Sequence, residues 1–251
     1  MTSVTSQTFL GVFLIFCRIG GCMLIVPGFS SSRIPAQIRL FIALAISLAL
    51  APLLLERIET GITGQTPTMT LWWIFTETLT GLLIGLLGRI FFLALQTILT
   101  AVSGAIGIGG IPGASIDDVE PMPAINTIIM MAATAFIFLA DLQWELFQGL
   151  VASYSRIPPG EGVGTQLALI QIADQITNAF ILALRVGSPF IVYSVIVNLA
   201  VGLANKLTPQ IPLYFIATPF IMLGGLMLFY MLQGEFISLF MSGFVLWLRQ
   251  G

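Results

Sequence analysis

Leu207-Thr-Pro-Gln-Ile-Pro-Leu-Tyr-Phe-Ile-Ala-Thr-Pro-Phe-Ile-Met-Leu-Gly-Gly-Leu-Met-Leu-Phe-Tyr-Met-Leu-Gln233 runs for 27 residues without one Asp, Glu, Lys or Arg. A helix that crosses the hydrocarbon core of a bilayer needs about 20 apolar residues, with roughly 17–25 typical. This run is long enough on its own. Five more regions share its character. Phe9 to Val26 is interrupted only by Arg18, and Leu40 to Leu55 carries no charge. Leu71 to Ile111 contains only Glu77 and Arg89, and Pro121 to Ala140 is uncharged. Leu167 to Asn205 contains only Asp174 and Arg185, and a shorter apolar piece follows from Phe236 to Leu248. The expectation is about six spans, with about five to eight accommodated by the lengths.

The whole chain agrees with this stretch. Of its 251 residues, 57% are hydrophobic and 8% are charged, and the mean hydropathy is +1.04. A soluble domain carries roughly 25% charged residues to coat its surface. A disordered chain needs the opposite balance, low hydrophobicity and high charge. Both are excluded, which leaves an all-α integral membrane protein. The first seven residues hold no Lys or Arg, so the basic region of a cleavable signal is missing and the first apolar stretch is expected to stay as a helix. Trp72, Trp73, Trp144 and Trp247 fall at the ends of apolar regions, where interfacial belts form.

Several chemistries drop out. Nine basic residues against 11 acidic ones give no basic surface for nucleic acid. Histidine is absent, which removes His-based triads and His-ligated metal sites. Cys17 and Cys22 on one helix would be separated by about 7.5 Å of rise, beyond the roughly 7 Å limit for a disulfide. No cofactor or metal site is expected. On a six-span layout, Arg33, Arg39 and Lys206 fall on one side and Arg57, Arg156 and Arg249 on the other. That tie gives no orientation: either the spans lie elsewhere or the chain is not laid out as a simple serpentine bundle. Pro189, Pro209, Pro212 and Pro219 fall in the fifth and sixth regions, where each removes a backbone donor.

The sharpest local feature is Ser103-Gly-Ala-Ile-Gly-Ile-Gly-Gly-Ile-Pro-Gly113. Each glycine costs a helix roughly 1 kcal/mol relative to Ala, so five of them with Pro112 should end the third helix near here. The segment stays apolar until Asp117. An apolar, non-helical stretch at membrane depth must be buried in protein or line a cavity. It is either a movable plug or a tight turn between packed helices. Asp117-Asp-Val-Glu120 reads as a solvated start of the next helix. Gly81, Gly85 and Gly88 share one helical face, and Gly81 with Gly85 has the small-xxx-small spacing that lets membrane helices approach closely. Arg18, Glu77, Arg89, Asp174 and Arg185 are isolated in apolar stretches. Such charges need partners or water, and none of them is spaced to pair within its own helix. Glu77 and Asp174 either belong to a proton relay or mark interfacial ends, and the second is the expectation.

Gly202-Leu-Ala-Asn-Lys-Leu-Thr-Pro-Gln-Ile-Pro-Leu-Tyr-Phe-Ile-Ala-Thr-Pro219 resembles the most characteristic motif of the FliR family, with Lys206, Pro209-Gln210 and Pro219 in the expected order. Arg18, Pro27 and Arg33-Ile-Pro-Ala-Gln-Ile-Arg39, followed by an apolar helix to Ala51-Pro52, resemble the family's N-terminal part. The glycine-rich stretch with Asp117 to Pro121, and Leu150-Val-Ala-Ser-Tyr-Ser-Arg-Ile-Pro-Pro-Gly160, continue the likeness over nearly the whole chain. Pro212, Ala217-Thr218 and the lengthened Asp117-to-Pro121 segment depart from the pattern.

The resemblance implies a non-enzymatic subunit of the flagellar type III protein export gate, in the bacterial inner membrane at the basal body; close relatives serve injectisomes. It implies assembly with FliP-like and FliQ-like subunits, with FlhB and FlhA alongside, into a pore for unfolded export substrates within membrane lipid. The chain would be a single membrane domain of kinked helical hairpins, FliP-like over about 1–205 and FliQ-like over about 206–251. The resemblance favours the plug reading for Gly104, Ile106, Gly107, Ile108, Gly109, Gly110, Ile111, Pro112 and Gly113, with Ile106, Ile108 and Ile111 as the sealing side chains. Gly81, Gly85, Gly88, Lys206, Pro209, Gln210 and Pro219 would serve subunit packing or kinks. A secondary transporter of a small solute or ion is the competing class, since broken helices and buried carboxylates also fit it.

Overall fold

The computed structural model describes residues 2–31, 34–62, 66–109, 123–211 and 213–250. Seven helices carry them: α1 (Thr2–Ile25), α2 (Ala36–Ile62), α3 (Pro67–Ala105), α4 (Ala124–Leu139), α5 (Leu142–Arg156), α6 (Thr165–Leu207) and α7 (Leu213–Gln250). Five of them, α1, α2, α3, α6 and α7, are long and apolar enough to cross a membrane, and α4 with α5 makes a sixth if read as one broken span. The all-α membrane class and the span count therefore stand.

The boundaries follow local chemistry. Pro67 opens α3 at the first helical position, where its missing N–H costs nothing and its fixed φ is already helical. Between α1 and α2, the guanidinium of Arg39 donates to the carbonyls of Ser31 at 2.9 Å and Ile34 at 3.4 Å, which ties the turn to the start of α2. One boundary differs from the expected division. Leu207–Gln233 and Phe236–Leu248 are not separate pieces: Leu207 closes α6, and α7 runs unbroken through Gly234 and Glu235. One glycine costs roughly 1 kcal/mol in a helix, too little to stop an apolar helix of 38 residues. Pro189 and Pro219 lie inside α6 and α7, whereas Pro209 lies in the connection between them. Pro212 lies outside the described residues.

The chain forms two compact units, one of residues 1–90, 137–175 and 248–251, the other of 91–136 and 176–247. In the first, Leu14, Ile15, Ile19 and Met23 of α1 pack with Ala43, Ala51, Leu54 and Ile58 of α2 and with Tyr154 of α5. In the second, Phe91 and Phe92 of α3 meet Phe240 and Phe244 of α7 at edge-to-face distances of 5.5–5.8 Å. Phe190 of α6 meets Phe229 and Phe236 of α7. Each such ring pair contributes about 0.5–1.5 kcal/mol beyond area burial. The buried amide of Asn126 on α4 reaches Thr100 Oγ1 on α3 at 3.2 Å, a polar tie of the kind that holds membrane helices together.

Candidate functional site

The glycine-rich segment begins as a helix cap. The last ordinary helical bond of α3 is Ile106 N to Val102 O at 3.0 Å. Gly107 then turns left-handed, with φ +78°. Ile108 N donates to Ser103 O at 2.9 Å and Gly107 N to Gly104 O at 3.1 Å. These paired bonds, the first spanning six residues and the second nested inside it, are a Schellman motif with Gly107 at the left-handed position. The hydroxyl of Ser103, itself fully buried, donates to Thr100 O at 3.0 Å. Two carbonyls that the helix end would leave open, those of Ser103 and Gly104, are thus satisfied. Ile106 has no exposed surface and Ile108 is 6% exposed, so both are enclosed by protein. Gly104 and Gly109 are exposed. Gly110, Ile111, Pro112 and Gly113, with the acidic residues Asp117 to Glu120 and Pro121, lie outside the described residues.

A second arrangement, in the first unit, surrounds Arg18. Its guanidinium binds the Glu77 carboxylate through two contacts, Nε to Oε2 at 2.7 Å and Nη2 to Oε1 at 2.9 Å. Nη1 donates to Ser153 Oγ and Nη2 to the Ile157 carbonyl, each at 3.1 Å. The Tyr154 ring centre lies 3.9 Å from the guanidinium carbon, within reach of a cation–π attraction. The Gly160 N–H donates to Glu77 Oε1 at 3.3 Å. Arg18 and Glu77 are 0% and 1% exposed. Four parts of the chain therefore converge on one buried charge pair: α1, α3, α5 and the loop after α5.

Glycines create that convergence. A Cβ on Gly81 would collide with the backbone of Arg18, and one on Gly85 would stand 2.6 Å from Cys22 O. Residues 18 and 22 thus meet 81 and 85 in the same direction, so α1 and α3 run parallel with their backbones touching. Helical side chains lean toward the N-terminus. Arg18 leans back by one turn and meets Glu77, which lies one turn before Gly81. Glu77, expected to mark an interfacial end, is enclosed by protein and paired with Arg18. Asp174 is exposed on α6.

The remaining expected positions do not gather into either arrangement. Gly88 is buried on α3, while Lys206 at the end of α6, Pro209 and Gln210 in the following turn, and Pro219 in α7 are exposed. Cys17 and Cys22 are both free thiols on α1. Ser153, Tyr154 and Gly160 were missed as partners of the charge pair. The signal for them is the Leu150-to-Gly160 segment, which places a hydroxyl, an aromatic ring and a turn in succession. Among the described residues, no group of three His, Cys, Asp or Glu side chains is placed to hold a metal ion.

Comparison with known proteins adds a further finding. A family model described as "Bacterial export proteins, family 1" matches residues 9–246. The flagellar biosynthetic protein FliR of Caulobacter vibrioides is 29% identical over 221 residues, covering 86% of this chain and 85% of that protein. FliR of Aquifex aeolicus is 27% identical over 225 residues, covering 87% and 84%. FliR of Escherichia coli is 24% identical over 236 residues, covering 91% and 87%.

Proposed function

Since the chain belongs to family 1 of the bacterial export proteins, we propose that it is the FliR-type subunit of a flagellar export gate in the bacterial inner membrane. The observation that carries this reading is the alignment with FliR proteins over most of both chains. In this reading the chain performs no chemistry. It joins FliP-like and FliQ-like subunits, beside FlhB and FlhA, in a pore through which unfolded flagellar subunits leave the cell. The part before about residue 205 corresponds to a FliP-like portion and the part after it to a FliQ-like portion, here the single helix α7 and not the expected hairpin.

The exposed apolar faces support assembly. The α7 span is only 6% buried and the α6 span 22%, and Phe215, Phe220 and Tyr230 are more than 70% exposed. A lone protein in a bilayer can leave such faces to lipid, but a pore subunit gives some of them to sister chains. The glycine-rich segment supplies the movable element. Apolar and rich in glycine, it follows the end of the long helix α3, and in the closed state it blocks the pore to ions. Deleting Gly107 to Gly113 is expected to leave the assembled gate leaky to ions in planar bilayers. A gate that stays tight and exports normally without those residues would overturn this assignment.

A further inference from the structure

Two adjacent glycines of α7 each receive a side chain from a different helix. A Cβ on Gly225 would run into the Cβ and Cγ2 of Ile106, and one on Gly224 would stand 2.5 Å from the Tyr193 hydroxyl of α6. That hydroxyl donates to the Ile221 carbonyl of α7 at 2.8 Å. One turn before Gly225, Met222 lies against Gly107, where an added Cβ would come within 3.4 Å of its Cγ. Positions 222 and 225 share a helix face. The cap residue Ile106 and the left-handed Gly107 that follows it are therefore both seated on one face of α7, and Tyr193 braces that face from α6.

We propose that Ile106 and Gly225 are positioning residues of the gate, a knob and a notch that fix where the glycine-rich loop leaves α3. The inference rests on the gate reading and changes one part of it. Ile106 was expected to seal the pore, yet a side chain with no exposed surface has nothing left to present to a lumen. Its branched Cβ fills the space that only a glycine leaves open. Ile106 is an anchor, and the chain leaves α3 at Gly107. The left-handed geometry of Gly107 turns the chain away from the helix axis at that point. Any displacement of α7 along α3 drags the anchor with it, so the seat also couples the loop's resting position to the α6–α7 pair.

The test is the ion conductance of the fully assembled gate in planar bilayers, with subunit stoichiometry checked on the same sample. Gly225→Ala fills the notch and should raise the closed-state leak several-fold at unchanged assembly. Ile106→Gly empties it and should also leak. The double variant Gly225→Ala/Ile106→Gly, in which the new methyl occupies the space vacated by the isoleucine Cβ and its branches, should return close to the wild-type level. Gly234→Ala lies on the same helix with nothing within 4 Å of the new methyl and should change nothing. Tight single variants, or a double variant whose leak is the sum of the singles, would overturn the anchor. If Gly225→Ala does not assemble, Ile106→Gly decides alone: a leak supports the anchor and a tight gate overturns it. The Gly107-to-Gly113 deletion, measured alongside, separates the two claims. A leaky deletion with tight single variants removes the anchor and leaves the plug standing, whereas a tight deletion removes the plug reading itself.

Discussion

At the scale of single residues, the account turns on Arg18 and Glu77. A buried charge that loses its partner is strongly destabilising, by about 3–5 kcal/mol, whereas replacing both partners with apolar residues of similar size is often neutral. Glu77→Ala should therefore lower the unfolding free energy of the detergent-solubilised complex by about 3–5 kcal/mol. Arg18→Met/Glu77→Met should recover most of that loss. Unfolding curves that coincide for Glu77→Ala and wild type would contradict the arrangement. Sequence reasoning could single out both residues, since an isolated charge in an apolar run must find a partner. It could not pair them. Three arginines and two carboxylates stand in such runs, and the choice among them depends on which helix backbones touch. The glycines at 81 and 85 make that choice, by letting Arg18 and Cys22 approach to backbone contact. Serine, tyrosine and a loop N–H then complete the site, groups too common in any sequence to be recognised beforehand.

At the scale of elements, the end of α3 was legible and the use of its side chains was not. Clustered glycines predict a helix end, and the helix ends at Ala105. Which glycine carries the turn depends on backbone geometry. Gly107 is left-handed, while Gly104 is still helical and meets nothing within 4 Å of an added Cβ. An L-residue in the left-handed region loses roughly 1–2 kcal/mol, and Ala in place of Gly gains up to about 1 kcal/mol in a helix. Gly107→Ala should accordingly depress the thermal midpoint of the complex, and Gly104→Ala should leave it unchanged or raise it. The reverse order would show that the cap is elsewhere. The division of the C-terminal region at Gly234–Glu235 was misread for a related reason. Composition marks where a helix is weakened, but an apolar helix continues through one weak step when both sides are held, here by Phe229 with Phe236 and by Phe240 and Phe244 with the Phe91–Phe92 pair.

At the scale of the molecule, the helices are long for a bilayer. With 39, 43 and 38 residues and about 1.5 Å of rise per residue, α3, α6 and α7 measure roughly 57–64 Å, against about 30 Å of hydrocarbon. Their ends lie beyond the hydrocarbon core or the helices tilt steeply within it. Either geometry leaves long apolar faces open along the helices. The membrane class was legible from composition alone, because 8% charged residues cannot coat a soluble surface. The partners were not, because an exposed apolar helix face has the same composition whether lipid or a sister subunit covers it. Native mass spectrometry of the tagged chain, co-expressed with its genomic neighbours and released in mild detergent, reads those partners directly. One copy of this chain within a larger hetero-oligomer of FliP-like and FliQ-like subunits is the predicted result. A stable homo-oligomer free of such subunits would contradict the export-gate account and favour a transporter.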